Sequence, residues 1–237
     1  MTVYNDPWYL SAVAPGFSRC NGFAYVLNDR GEAASPYGYP GTGGADLQEV
    51  RRMLGKPLFV RHTVDHRGEG PGHPTRVIPL SDPWTKEARD EIRRAEAQHI
   101  VARQAGSSRE ALVRFQSVYR SAMDAKKTSQ KYVDLAARLP DWHGNSRVLL
   151  IEAERAAALF LLDADGKWAH YHLSARAPQC HNLAMAAIFG LAVEILRTTH
   201  TRIHLGGGMS ASPDDPLLKF KSRWGKVAHS VYTQEIP

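Results

Sequence analysis

The residue best placed to do chemistry is a lysine set among apolar neighbours. In Leu217 to Trp224 (LLKFKSRW), a helical rotation of about 100° per residue puts Leu217, Phe220 and Trp224 on one face. Leu218 flanks that face and Lys221 projects between Leu217 and Leu218, while Lys219, Ser222 and Arg223 point away. An ammonium so placed either snorkels along packed side chains or is aimed at an anion in a cleft. No covalent nucleophile accompanies it: there is no G-x-S-x-G elbow and no cysteine or serine with a persuasive base.

The elements that would hold Lys221 are written just before it. Arg202 to Leu205 reads as a short strand with Ile203 and Leu205 on one face, and Gly206, Gly207 and Gly208 let the backbone leave it through conformations closed to other residues. Ser212 is a suitable N-cap, Pro213 suits the first helical position, and Asp214 and Asp215 place negative charge in the first turn. Strand, glycine turn and capped helix are therefore expected.

Other polar groups each carry two readings. Ser35 to Gly41 (SPYGYPG) is either a plain turn or, through Tyr37 and Tyr39, a rigid wall suited to a peptide or sugar. Arg61, at the end of a strand in Lys56 to Thr63, is either a surface residue or a bidentate site for a carboxylate or phosphate. His62, Asp65, His66 and His73 lie in strand and loop, not on one helix face, which argues against a metal site. His170 and His172 face the same objection, although His172 can point into a substrate cleft. Arg114, Arg120, Lys126, Lys127 and Lys131 form either a solvated face or a path for RNA phosphates.

The chain supplies enough material for a real core. It has 237 residues, 43% hydrophobic and 23% charged, which excludes a disordered chain. A formal charge of +6 favours an anionic partner. Two cysteines far apart, Cys20 and Cys180, fit a reducing cytoplasm and give no disulfide framework. Asp6 and Pro7 interrupt any N-terminal apolar run, and the apolar run Ala156 to Leu162 is too short to span a bilayer, so no membrane insertion is expected.

Residues 1–80 read as a smaller first half: a strand at Phe23 to Leu27, a turn at Asn28 to Gly31, a helix capped by Asp46, the strand ending near Arg61, and an irregular loop from Asp65 to Thr75. Residues 81–237 read as a long helix from Asp82 through Ile100, a helix capped by Ser107 or Ser108, and further helix to Leu139. Three strands follow (Ser146 to Glu152, Ala156 to Asp163, Lys167 to Ala175), then a buried apolar helix from Asn182 to His200, the glycine-ended strand, the lysine helix and a last strand from Val227 to Ile236.

Four segments carry a resemblance. The LGGG turn followed by D-x-L-x-x-F-K-x-x-W-G, the SPYGYPG segment, Leu58-Phe59-Val60-Arg61 and Phe115 to Tyr132 resemble, in order, motifs of the FemABX-like aminoacyltransferases, a branch of the GNAT acyltransferase superfamily. The resemblance implies an α/β GNAT fold, a mixed sheet with flanking helices, whose second half is a full GNAT-like domain and whose first half is a smaller degenerate unit. It implies an aminoacyltransferase that joins an amino acid from aminoacyl-tRNA to the amine of a peptide-like acceptor, with no bound cofactor, metal or DNA. Lys221 is then the oxyanion stabiliser or tRNA contact with Phe220 beside it, and Tyr37, Tyr39 and Arg61 line the acceptor site. Enzymes of this fold that use acetyl-CoA cradle pyrophosphate in a [QR]-x-x-G-x-[GA] loop. Here Gln179 is present but Asn182 stands where glycine is needed, which argues against the alternative, an acyl-CoA-dependent N-acyltransferase.

Overall fold

Period-two alternation decides which side chains face each layer of helices, and glycines decide where strands and helices come closest. The computed structural model describes residues 2–36, 45–63, 73–126, 130–210, 212–225 and 227–236. The first part of the chain forms a 3-10 turn (Val3–Asn5), α1 (Pro7–Val13), β1 (Ser18–Cys20), β2 (Phe23–Leu27), β3 (Ala33–Ala34), α2 (Leu47–Leu54), β4 (Leu58–Thr63) and β5 (His73–Pro79). Then come α3 (Lys86–Ala97), β6 (Ala102–Gln104), α4 (Arg109–Ala125), α5 (Gln130–Ala137), a second 3-10 turn (Leu139–Trp142), β7 (Val148–Ala153), β8 (Ala156–Leu162) and β9 (Trp168–Arg176). The chain finishes with α6 (Ala184–Leu196), β10 (Arg202–Gly207), α7 (Pro216–Trp224) and β11 (Val227–Ile236).

Among the described residues the strands join in the order β1-β2-β3-β4-β11-β5-β10-β9-β8-β7-β6. The sheet is mixed: β3 runs parallel to β4 and β9 to β10, and the other pairs are antiparallel. Leu150, Leu159, Leu161 and Leu173 face α1, α4 and the second 3-10 turn, where Tyr4, Leu10, Leu112, Phe115 and Trp142 are buried. Leu149, Ile151, Phe160, Ile203 and Leu205 face α3, α6 and α7, against Ala88, Ile188, Phe189 and Trp224. Both faces of β8 are thus covered, which is why Ala156 to Leu162 reads as an unbroken apolar run. A third cluster packs Val50 of α2 on Phe23, Leu58, Val60 and Ile236.

Two of the caps written in the sequence are the ones used. Asp46 accepts from the amides of Gln48 and Glu49, and Ser108 from that of Ala111. The helix expected from Asp82 is shorter at both ends. Thr85 caps it by accepting from Ala88, and after Ala97 the chain turns through His99 at φ +54° so that Ala102–Gln104 pairs with β7 as an edge strand. The largest departure is β5. His73–Pro79, with prolines at its second and last positions, lies between β10 and β11 and is paired along both edges. Proline argues against a central strand, and here both prolines sit near the ends, leaving Thr75 to Ile78 free to pair.

Two glycines allow close helix contacts of opposite kinds. A Cβ at Gly225, just after α7, would lie 2.8 Å from Cβ of Arg76 and 3.0 Å from the amide of Val77, so α7 reaches β5 only because the residue is glycine. A Cβ at Gly190, inside α6, would meet nothing nearer than Ile92 at 3.6 Å. Gly225→Ala is therefore expected to cost about 1–3 kcal/mol of stability by overpacking, whereas Gly190→Ala is expected to gain about 0.5–1 kcal/mol from helix propensity. Urea unfolding of the two variants beside the parent checks both signs.

Candidate functional site

The site is built where two neighbouring strands stop running together. β9 and β10 pair over three register positions only, ending at His170 opposite His204. Just past that point each strand carries an irregularity. Leu159 faces Leu173 and Phe160 faces Tyr171, so His172 is an extra residue in β9, and His204 faces Val77 while Gly206 faces Arg76, so Leu205 is an extra residue in β10. A bulge bends its strand and increases the local twist, and two of them part β9 from β10.

On the β10 side the chain runs through Gly206, at φ +73°, into Gly207 and Gly208. A side chain at Gly207 would put a Cβ 2.9 Å from the carbonyl of Pro74, and one at Gly208 would put it 2.5 Å from the carboxyl of Asp215. Absence of side chains is thus a steric requirement at both positions. α7 then returns along the strand end. Its cap is Asp215 in place of the expected Ser212: Oδ1 of Asp215 accepts from the amides of Leu217 at 2.9 Å and Leu218 at 3.0 Å, and Pro216 takes the first helical position. Ser212 closes only a local turn, accepting from the amide of Asp214.

The buried face of α7 also differs from the one expected from the sequence. Leu218, Lys221 and Trp224 are buried and Leu217 is 37% exposed, so Lys221 lies in the centre of the buried stripe, between Leu218 and Trp224. Trp224 packs on Phe189 at 4.7 Å between ring centroids, and Phe220 closes one side of the same cluster at 6.3 Å from each of those rings. Only 8% of Lys221 is exposed, and its Nζ donates to the carbonyl of Gly207 at 2.6 Å. Of the two sequence readings, snorkelling does not describe this side chain. Burial pulls its pKa down to about 8, with the negative charge of Asp215 acting in the other direction.

On the β9 side, His172 lies among aromatic rings: Tyr9 at 5.6 Å, and Tyr4 and Trp142 at 5.9 Å. Burial, with His170 adding to it, pushes the His172 pKa down to about 3, so it is neutral across the physiological range. His172 and Lys221 thus belong to the two arms of the parting strands, one facing the α1 layer and the other attached from the α7 layer. The rings that surround His172 come from the first thirteen residues and the second 3-10 turn, and the sequence carries no periodic signal there that would have found them.

Asn182 is exposed in the turn that opens α6. In that turn the amide of His181 donates to the carboxylate of Glu154 at 3.3 Å, and the amide of Leu183 to Nδ1 of His181 at 3.2 Å. Arg61 lies in β4 opposite Thr233, and its side chain lies outside the described residues, as do Tyr37 and Tyr39. Among the described residues no group of three or more His, Cys, Asp or Glu is arranged to hold a metal, no helix is long and apolar enough to cross a membrane, and both cysteines are free.

No protein-family model matches the chain, and no curated protein matches it in sequence. Solved structures do. A conserved protein of unknown function from Bacteroides thetaiotaomicron is 10% identical, with a TM-score of 0.69 over 96% of this chain and 88% of that one. The C-terminal domain of a putative lysylphosphatidylglycerol synthetase from Agrobacterium fabrum is 13% identical, with a TM-score of 0.64 over 98% of this chain and 87% of that one. FemX is 10% identical, with a TM-score of 0.59 over 92% of this chain and 82% of that one. At these identities the likeness is one of fold, and the fold is the expected α/β architecture of GNAT type, a mixed sheet with flanking helices.

The buried lysine makes stability depend on pH in a direction opposite to that of a stabilising ion pair. Its folded pKa of about 8 lies below the ordinary 10.5, so between those values the unfolded chain binds the extra proton and stability rises with pH. Below about pH 8 the full penalty is present, on the order of 3 kcal/mol. Thermal unfolding of the parent and Lys221→Met between pH 7 and 10.5 is expected to show this rise in the parent only.

Proposed function

We propose that the protein is an aminoacyltransferase that forms an amide bond, moving an amino acid from the ester of aminoacyl-tRNA to the amine of a peptide-like acceptor. The observation that carries this reading is the Lys221 ammonium, 8% exposed and held 2.6 Å from the carbonyl of Gly207 where β9 and β10 part. In the reaction the acceptor amine attacks the ester carbonyl, the carbonyl oxygen becomes an oxyanion, and collapse breaks the bond to the ribose oxygen, which leaves as the tRNA hydroxyl. The protein's contribution is to hold two substrates together and to present fixed positive charge to the developing oxyanion. Lys221 supplies that charge. Its bond to Gly207 uses one of three ammonium hydrogens and leaves two for substrate.

Several features support an aminoacyl donor over an acyl-CoA. The start of α6, where a pyrophosphate would be cradled on backbone amides, has Asn182 in place of glycine, and its His181 amide is bonded to the Glu154 carboxylate. A negative side chain there disfavours a second anion. The formal charge of +6 suits a nucleic-acid donor. The fold is shared with FemX and with a putative lysylphosphatidylglycerol synthetase, whose product joins an amino acid to a lipid headgroup, in keeping with an aminoacyl group as the thing transferred. For this chain the acceptor we favour is a cell-wall precursor or the peptide intermediate of a specialised metabolite.

The test is to offer the protein charged and uncharged tRNA pools, acetyl-CoA and amine-bearing peptides, and to identify products by mass. An amide formed only with charged tRNA is expected. Lys221→Ala is expected to lower kcat by about 10²–10³-fold, and the parent rate is expected to fall as pH rises through about 8, where the ammonium loses its charge. Turnover with acetyl-CoA and none with charged tRNA overturns the reading, and RNA binding without any product identifies a scaffold.

A further inference from the structure

One carboxylate touches both the strand end and the helix that the site is made from. Oδ1 of Asp215 caps α7 through Leu217 and Leu218, as any N-cap would. Oδ2 faces the other way. It accepts from the amides of Met209 and Ser210, each at 2.9 Å, and from Oγ of Ser210 at 3.1 Å. These bonds are not helix caps; they tie the segment leaving β10 back to the helix it leads into. Gly208 is part of the same contact, because a Cβ there would lie 2.5 Å from the Asp215 carboxyl.

Six residues further along α7, the Lys221 ammonium returns to the carbonyl of Gly207. The strand end is therefore fastened to α7 twice, by Met209 and Ser210 to Asp215 and by Gly207 to Lys221. One fastening alone would leave the helix free to turn about it. Two, separated by a turn and a half of rigid helix, fix both its rotation and its approach. Asp215 is 5% exposed, and its carboxyl is held below the usual carboxylate range chiefly by the amide of Leu218, so it remains charged.

We propose that Asp215 is a positioning residue that locks α7 onto the glycine turn and so holds the Lys221 ammonium on the carbonyl of Gly207. The role rests on the reading of Lys221 given above, and Asp215 itself touches no substrate. Several charged groups on and around α7 have partners of their own, among them Lys219, which pairs with Asp214. Arg76 of β5 donates to Oγ of Ser222 and to the carbonyl of Thr75, and Glu91 of α3 pairs with Arg223. On β10, His204 lies on the face opposite Ile203 and Leu205, and the group that meets Lys221 is the neutral carbonyl of Gly207. Asp215 is the negative charge that raises the Lys221 pKa against burial.

The experiment uses the full chain with isotope-labelled lysine and compares Asp215→Asn and Asp215→Glu with the parent. Two quantities are read without substrate: the NMR titration midpoint of Lys221, and amide hydrogen exchange at Met209 and Ser210. Asp215→Asn removes the charge and turns one of the two acceptor oxygens into a donor, so with the remaining oxygen on the Leu217 and Leu218 amides the midpoint is expected to fall by about half a unit or more, with exchange at the Met209 and Ser210 amides faster by about tenfold. Asp215→Glu keeps the charge on a longer arm, so the midpoint is expected to stay near that of the parent while exchange quickens. In the transfer assay, Asp215→Asn is expected to lower kcat with little change in KM and to move the alkaline limb down by the same amount as the midpoint. A folded Asp215→Asn protein with the parent's midpoint and exchange rates overturns the proposal. Should that variant fail to fold, Asp215→Glu carries the test, and exchange equal to the parent's overturns it. Absence of aminoacyl transfer sinks the functional reading alone, because the midpoint and the exchange rates are read without turnover.

Discussion

An ammonium withdrawn from water needs an acceptor at a fixed place, and much of the C-terminal half is arranged to provide one. Leaving a buried charge unpartnered costs several kcal/mol, so the bond from Lys221 to Gly207 is a condition on the fold as well as a feature of the site. It requires α7 to lie along the end of β10, with Trp224 and Leu218 driven into the core on either side of the lysine. It requires glycine at the positions where strand and helix come closest. It also requires β5, since the far end of α7 rests on Arg76 and Val77, and β5 is the strand against which β10 bends.

That bend has a counterpart on the neighbouring strand. An extra residue in β9 alone would tilt one strand and leave its partner to follow; extra residues in both, immediately after the last shared pair, drive the two apart. The parting is therefore a property of backbone register and does not need a ligand to open it. Its two arms are also unlike. The β9 arm carries a neutral imidazole in an aromatic setting, and the β10 arm carries a cation held by a carbonyl. In the proposed reaction this asymmetry suits two partners of different character, an uncharged acceptor amine and an acyl group that becomes negative.

Much of this was legible in the sequence because local rules and tertiary demands agree there. The apolar run Phe23–Leu27 becomes β2, Asp46 and Ser108 cap the helices they precede, and the strand from Arg202 becomes β10, which runs two residues past the expected Leu205 and is left only at Gly208. The departures share a physical cause. At α7 two serviceable caps, Ser212-Pro213 and Asp215-Pro216, follow one another, and local chemistry does not choose between them. The choice falls to Asp215 because its second oxygen can reach back to Met209 and Ser210. At β5 two prolines mask a strand whose pairing partners lie more than a hundred residues away. The aromatic setting of His172 is assembled from Tyr4, Tyr9 and Trp142, whose proximity is tertiary and leaves no spacing to read.

The start of α6 bears on the choice of donor by a separate line of reasoning. A helix N-terminus binds phosphate because its first amides have no partner within the helix and the dipole favours negative charge. Here some of those amides, and one in the turn leading into the helix, already have partners. At the N-cap the amide of Leu183 has the His181 ring and that of Ala184 the His181 carbonyl, while two residues before the cap the amide of His181 has the carboxylate of Glu154, from the turn between β7 and β8. A pyrophosphate at this exposed turn would have to displace that carboxylate or sit beside it, and like charges a few ångströms apart repel, though solvent weakens the effect. A donor whose phosphates lie elsewhere avoids the conflict, which is why the lost glycine at Asn182 and the carboxylate of Glu154, two features with no contact in sequence, favour the same class of donor.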